Sequence, residues 1–255
     1  MTRRLVQAAA ALATMLSVVS EASGQSGGGS AVQSQLWGNF TFDYPKGEDW
    51  LLETDFEPKI LLSGGEKWRS LDVTPLVEYY PHKLLDLTAE VDLGFTHQFN
   101  DLDTTAVTPR LGFRLNFLNN LRERGRLPKG PLQRIRIATL VRFEYRNFWY
   151  SDGEPSSHQW RFRARLESKA GITREDISKD RTLYGIYDVE WFVPLGGEVT
   201  ERYVSKVRMR AGLGYRFLYG TRLEVLYIHE WQRKSPGAPK ESSADILDIR
   251  LKFFF

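Results

Sequence analysis

Over residues 85–95 apolar and polar side chains alternate without a break. Leu85, Leu87, Ala89, Val91, Leu93 and Phe95 fall on one face, and Asp86, Thr88, Glu90, Asp92 and Gly94 on the other. Period two is the signature of a β-strand. A soluble sandwich strand alternates as well, so one such segment decides little. The pattern recurs, however, over residues 35–43, 50–57, 69–79, 107–117, 135–149, 160–166, 183–193, 203–217, 223–231 and 247–255. Turn signals separate these runs, among them Pro45-Lys46-Gly47-Glu48, Ser63-Gly64-Gly65-Glu66, Pro81-His82-Lys83 and Gly196-Gly197. The predicted fold is all-β, a transmembrane antiparallel up-and-down β-barrel. Bacterial single-chain barrels have even strand numbers, so twelve strands are expected, with ten as the alternative. The uncertain places are the first strand and residues 58–68.

The two ends of the chain give a consistent address. Arg3 and Arg4 precede an apolar stretch, Leu5 to Val19, and then the small residues Ala22, Ser23 and Gly24, the pattern of a cleaved secretory signal. The expected organisation is a signal peptide at 1–24, a flexible Gly/Ser-rich segment at 25–34 and a barrel domain at 35–255. The last segment ends in Phe253-Phe254-Phe255. Such exposed aromatics would be sticky on a soluble domain but suit the interfacial girdle of a barrel. Phe253 and Phe255 are therefore expected to form an outer-membrane assembly signal, read by the barrel assembly machinery. The expected location is the bacterial outer membrane, with its lipids and lipopolysaccharide as surroundings, and the expected state is a monomer. If the last strand runs towards the periplasm, the turns near residues 81–82 and 219–220 are periplasmic. Tyr79, Tyr80, Tyr215 and Tyr219 then belong to an aromatic belt.

Charge changes the picture on the second face of each strand. The chain has 35 basic and 32 acidic residues, too even a balance to imply a nucleic-acid partner. Mean hydropathy is −0.39, which a barrel tolerates because only alternate residues meet lipid. The charges are nevertheless sorted. Early strands turn Glu53, Asp55, Glu57, Asp72, Glu78, Asp86, Glu90 and Asp92 away from the apolar face. Later strands turn Arg110, Arg114, Arg134, Arg136, Arg142, Arg146, Arg161, Arg163, Arg165, Arg208, Arg210 and Arg216 the same way, with Glu144 and Glu190 among them. An arginine at the lipid-facing midplane costs roughly 2–4 kcal/mol, so these residues must face a lumen. Two interiors fit: a plug of paired charges, giving a structural barrel, or a narrow channel for small polar solutes between an acidic and a basic wall.

Candidate chemistry is sparse. The chain has no cysteine, which removes disulfides, thiolate metal sites and a thiol nucleophile. Its histidines are His82, His97, His158 and His229, and no two stand at metal-ligand spacing. A lipid hydrolase of the phospholipase or lipid A deacylase type is the alternative function, because some outer-membrane barrels place a serine, a histidine and a polar orienter on their outer surface. No histidine here is followed at the second position by serine, and His229 reads as an interface residue. The expectation is no enzyme, no cofactor and no metal.

Two stretches carry a family resemblance. Leu71-Asp72-Val73-Thr74-Pro75-Leu76-Val77-Glu78-Tyr79-Tyr80-Pro81, and Trp37-Gly38-Asn39-Phe40-Thr41 followed by Asp49-Trp50-Leu51-Leu52, resemble the DUF2490 family of uncharacterised Gram-negative outer-membrane barrels. The resemblance implies a barrel and its location, and brings no reaction with it.

Overall fold

The computed structural model describes residues 32–99, 102–118, 130–151, 153, 155–196, 204–218, 220–233, 239 and 241–255. The expected signal peptide, most of the expected flexible segment and Tyr219 lie outside the described residues. Eleven strands close into one barrel. They are β1 (Gln33–Lys46), β2 (Trp50–Ser63), β3 (Trp68–His82), β4 (Leu85–Gln98), β5 (Thr104–Asn116), β6 (Ile135–Tyr150), β7 (Ser157–Gly171), β8 (Thr182–Leu195), β9 (Lys206–Arg216), β10 (Thr221–Gln232) and β11 (Glu241–Phe254). A single helical turn, α1 (Pro131–Arg134), leads into β6 and contains Arg134, which had been expected on a strand.

The strand number is odd, against the expectation of twelve or ten. The reason is the closure. Every neighbouring pair is antiparallel except β1 and β11, which run parallel from Gln33↔Ala244 to Asp43↔Phe254. A parallel seam lifts the parity rule, because the first and last strands no longer have to point in opposite directions. Residues 58–63 do not form the missing strand. They continue β2 past Pro58, which pairs with Leu71. Gly38 of β1 accommodates the proline ring, since a Cβ there would lie 3.3 Å from Pro58 Cγ.

Every element has an upper end, at the rim of Gln33 and the β2–β3 and β10–β11 connections, and a lower end, at the rim of Phe254. Outward faces carry exposed apolar side chains around the whole barrel, for instance Leu71, Phe95, Leu111, Phe143, Tyr187, Leu213 and Leu247. Leu111 leaves 67 % of its surface exposed. Aromatic rings mark both margins of this band: Trp149, Trp160 and Trp231 above, and Tyr44, Trp50, Tyr79, Phe217 and Phe255 below. Tyr80, expected beside Tyr79 in the lower belt, instead points inward and donates its hydroxyl to Glu78 Oε2 at 2.7 Å.

The terminal aromatics divide between the two faces. Phe253 faces outward but is buried against Phe42, 5.4 Å between ring centroids. Phe255 stacks on Tyr44 at 4.9 Å, and its amide donates to the Asp43 carbonyl at 3.0 Å. Phe254 points inward among the cationic groups of Arg222, Arg216 and Lys252, 4.4–5.6 Å from its ring.

Candidate functional site

The strand register places acids opposite bases and so builds the interior. Asp86 faces Arg114, Glu90 faces Arg110, Glu144 faces both Arg110 and Arg161, and Glu190 faces Arg165 and Arg208. Two carboxylates act as hubs. Glu144, with 0 % exposure, lies 2.5 Å from Arg161, 2.6 Å from Arg163 and 3.4 Å from Arg110. Glu190 meets Arg163 and Arg210 at 2.7 Å, Arg165 at 3.1 Å and Arg208 at 3.7 Å. Arg163 therefore joins the two hubs. Arg210 continues the chain to Asp188 at 2.6 Å. Charge-assisted contacts of this kind compensate burial only as a connected set, because a lone buried ion is strongly destabilising.

The remaining candidates attach to this network or line its edges. Arg110 reaches Asp92 at 2.6 Å, and Arg142 reaches Glu90 at 2.8 Å. Arg114 meets Glu78 at 3.0 Å and Asp86 at 3.8 Å. Arg146 stacks on the Phe148 ring at 4.5 Å. Asp55 accepts a hydrogen bond from the Thr41 hydroxyl at 2.5 Å. Like charges also stand opposite each other, Asp43 to Glu53 and Glu57 to Asp72. In each case a lysine resolves the repulsion. Lys252 lies 3.2 Å from Asp43 and 2.5 Å from Glu53. Lys59 lies 2.9 Å from Glu57 and also contacts Asp72. Both lysines had been missed, although alternation alone would have put them inside. Lys59 follows Pro58, where a strand seemed to end, and Lys252 lies in a strand read only as a terminal signal.

A cavity of about 870 Å³ remains in the middle. Its lining starts at Gln33, Glu66, Trp68 and Lys206 near the upper rim and descends to Glu53, Arg114, Glu224 and Lys252. It does not include Asp43, Glu78, Tyr184 or Phe254 at the lower end. There side chains crowd the interior. Tyr184 is fully buried, packs with Ile186 and Leu226, and donates to Glu224 at 2.7 Å. Gly214 makes this possible, since a Cβ there would lie 2.4 Å from the tyrosine ring. The β7–β8 connection adds Ile177 to the same cluster. It is anchored by Asp176 on Arg136 at 2.7 Å and by Asp180, 3.6 Å from Arg216.

A second constellation lies on the outer surface, at the upper end of the β10–β11 hairpin. His229 and Asp245 are register partners, with Nδ1 2.6 Å from Asp245 Oδ1. On the far side of the same ring, Nε2 lies 3.3 Å from the hydroxyl of Ser242. The Tyr227 hydroxyl also donates to Asp245, at 2.5 Å, and Trp231 packs edge-on against the imidazole at 4.2 Å. In a regular strand residues 242 and 245 would face opposite ways. A β-bulge reconciles them: Glu230 pairs with Ala244, but Trp231 pairs with Ser242, so Ser243 is the extra residue. The reading of His229 as an isolated interface residue missed both partners. No local motif links the three positions; only the hairpin register and its bulge do.

His97 has a comparable acid partner, Asp103 at 2.8 Å, but its ring packs on Phe99 and no hydroxyl completes the set among the described contacts.

No curated protein matches the chain. One family model does, over residues 34–241, which is most of the barrel. The match spans well over half of the chain, so the chain belongs to DUF2490, a protein family of unknown function.

Proposed function

We propose that the protein is an outer-membrane barrel whose interior is locked by paired charges and closed at its lower end, so that it serves as a structural barrel and not as a through-channel. The observation that carries this reading is the inversion of an ordinary globular protein. Apolar side chains are exposed on strand after strand in a band between two aromatic margins, while charged ones such as Glu144, Glu190, Arg163 and Arg210 are buried. In water such a band would be a large adhesive patch; in a bilayer it is the required surface. The strands are 11–16 residues long. A tilted spanning strand needs about 9–11 residues, so each is long enough to cross.

The interior supports the closed form of the reading. Tyr184, Phe254 and the β7–β8 connection crowd the lower end, which supports a cavity that opens towards the upper rim. Its acidic and basic walls are bridged by direct contacts over much of their height, which leaves little unpaired charge to select a permeating ion. Refolded protein should float with phospholipid vesicles and migrate as a heat-modifiable species. In planar bilayers it should give no steady conductance at neutral pH. Sustained single-channel openings of the intact protein would refute the closed barrel, and failure to partition into vesicles would refute the membrane location.

A further inference from the structure

We propose that Ser242, His229 and Asp245 form a serine-hydrolase site on the outer wall of the barrel, acting on the acyl esters of membrane lipids. The geometry is that of a nucleophile, a base and an orienting acid in line. The imidazole is held through Nδ1 by Asp245 at 2.6 Å and faces the Ser242 hydroxyl through Nε2 at 3.3 Å. The second distance lies just beyond a tight hydrogen bond, as is common before substrate binds. Asp245 fixes the ring so that Nε2 is the acceptor, and the Tyr227 hydroxyl steadies that carboxylate. The bulge at Ser243 contributes twice. It turns Ser242 onto the same face as Asp245, and it leaves Ser243 without a register partner in β10. Described pairing with β1 begins only at Ala244. The Ser243 amide, which follows the nucleophile and belongs to the residue displaced from regular pairing, is the donor assigned to the oxyanion.

The substrate class follows from the level of the site, and rests on the membrane reading above. Along β11 the outward residues are apolar from Phe253 up to Leu247 and become polar at Asp245. Along β10 the change falls between Val225 and His229, at Tyr227. Acyl chains lying on the apolar band would therefore end beside Ser242, where the ester carbonyl of a membrane lipid resides. In the reaction His229 takes the Ser242 proton as Oγ bonds to the carbonyl carbon. The tetrahedral oxyanion collapses, the ester C–O bond breaks, and the imidazolium returns its proton to the departing alkoxide. Water then attacks the acyl-serine with His229 again as base, releasing the fatty acid and restoring the serine.

The test uses full-chain protein refolded in detergent. A long-chain alkyl fluorophosphonate should add to Ser242, displacing fluoride, with the adduct located by peptide mass spectrometry. Labelling should be absent in Ser242→Ala and at least tenfold slower in His229→Ala. Fatty-acid release from phosphatidylethanolamine or lipopolysaccharide in mixed micelles should fall about a hundredfold or more in Ser242→Ala. Unchanged heat-modifiable migration of each variant shows that the barrel is intact. Asp245→Asn should lower kcat with KM unchanged, as befits a positioning residue. Neither adduct nor fatty acid would overturn the proposal, as would labelling that His229→Ala leaves unaltered. Labelling and cleavage of a soluble short-chain ester, with both lipids inert, would keep the nucleophile and overturn the lipid substrate.

Discussion

Glu190 shows how much one buried side chain can be asked to hold. Its carboxylate is almost completely enclosed and touches four arginines. Replacing it with glutamine would leave those guanidinium groups facing one another with a neutral partner. Breaking a buried ion pair by removing one member costs about 3–5 kcal/mol, so Glu190→Gln should lower unfolding stability by that order. Urea titration in lipid vesicles, followed by tryptophan fluorescence, measures it. Adding Arg210→Met should recover part of the loss, because it removes one of the uncompensated charges. A change below about 1 kcal/mol in the single variant, the range of exposed pairs, would show that the hub is effectively solvated.

At the scale of elements, the β7–β8 connection docks on the lower end through a few named side chains. Ile177 supplies its apolar anchor and Asp176 its polar one. Partial burial pushes the Asp176 carboxyl up, but the hydroxyl and amide of Ser178 and the Arg136 guanidinium outweigh this and hold it below the usual carboxylate range. A depressed value means that the docked loop favours the ionised acid. The stabilisation is complete above the ordinary value of about 3.9 and fades as pH falls through the depressed one. A spin label on a cysteine at Lys179 should stay immobile from neutral pH down to about 4 and gain mobility below it. Asp176→Asn should be mobile already at pH 7. Equal immobility of that variant at neutral pH would assign the docking to Ile177 alone.

At the scale of the whole molecule, the parallel seam puts the start of β1 and the end of β11 on opposite rims. With the C-terminal rim in the periplasm, the β2–β3 turn is extracellular and the β3–β4 turn periplasmic. A cysteine at Glu66 should react with an impermeant thiol reagent on intact cells, whereas one at Lys83 should react only after the outer membrane is permeabilised. Both positions are exposed in the folded chain, so access depends on side and not on burial. The reverse labelling pattern would invert the barrel, and labelling of both sites on intact cells would deny that it spans.

Alternation determined the side of most strand residues, because in a regular strand side is fixed by position. The sorted acids and bases on the strands were legible in this way, whereas Arg134 lies in the helical turn before β6. A barrel class followed from the recurrence of that pattern at spanning length, with charges on the second face that only a lumen accommodates. The strand number was not legible, since the choice of an antiparallel or parallel seam belongs to the ends that meet and leaves no local trace. Nor were the contacts of Glu144 and Glu190, which depend on register across three or more strands. Ser242, His229 and Asp245 are the sharpest case. Alternation puts Ser242 and Asp245 on opposite faces, and only the one-residue bulge at Ser243 brings them to the same imidazole.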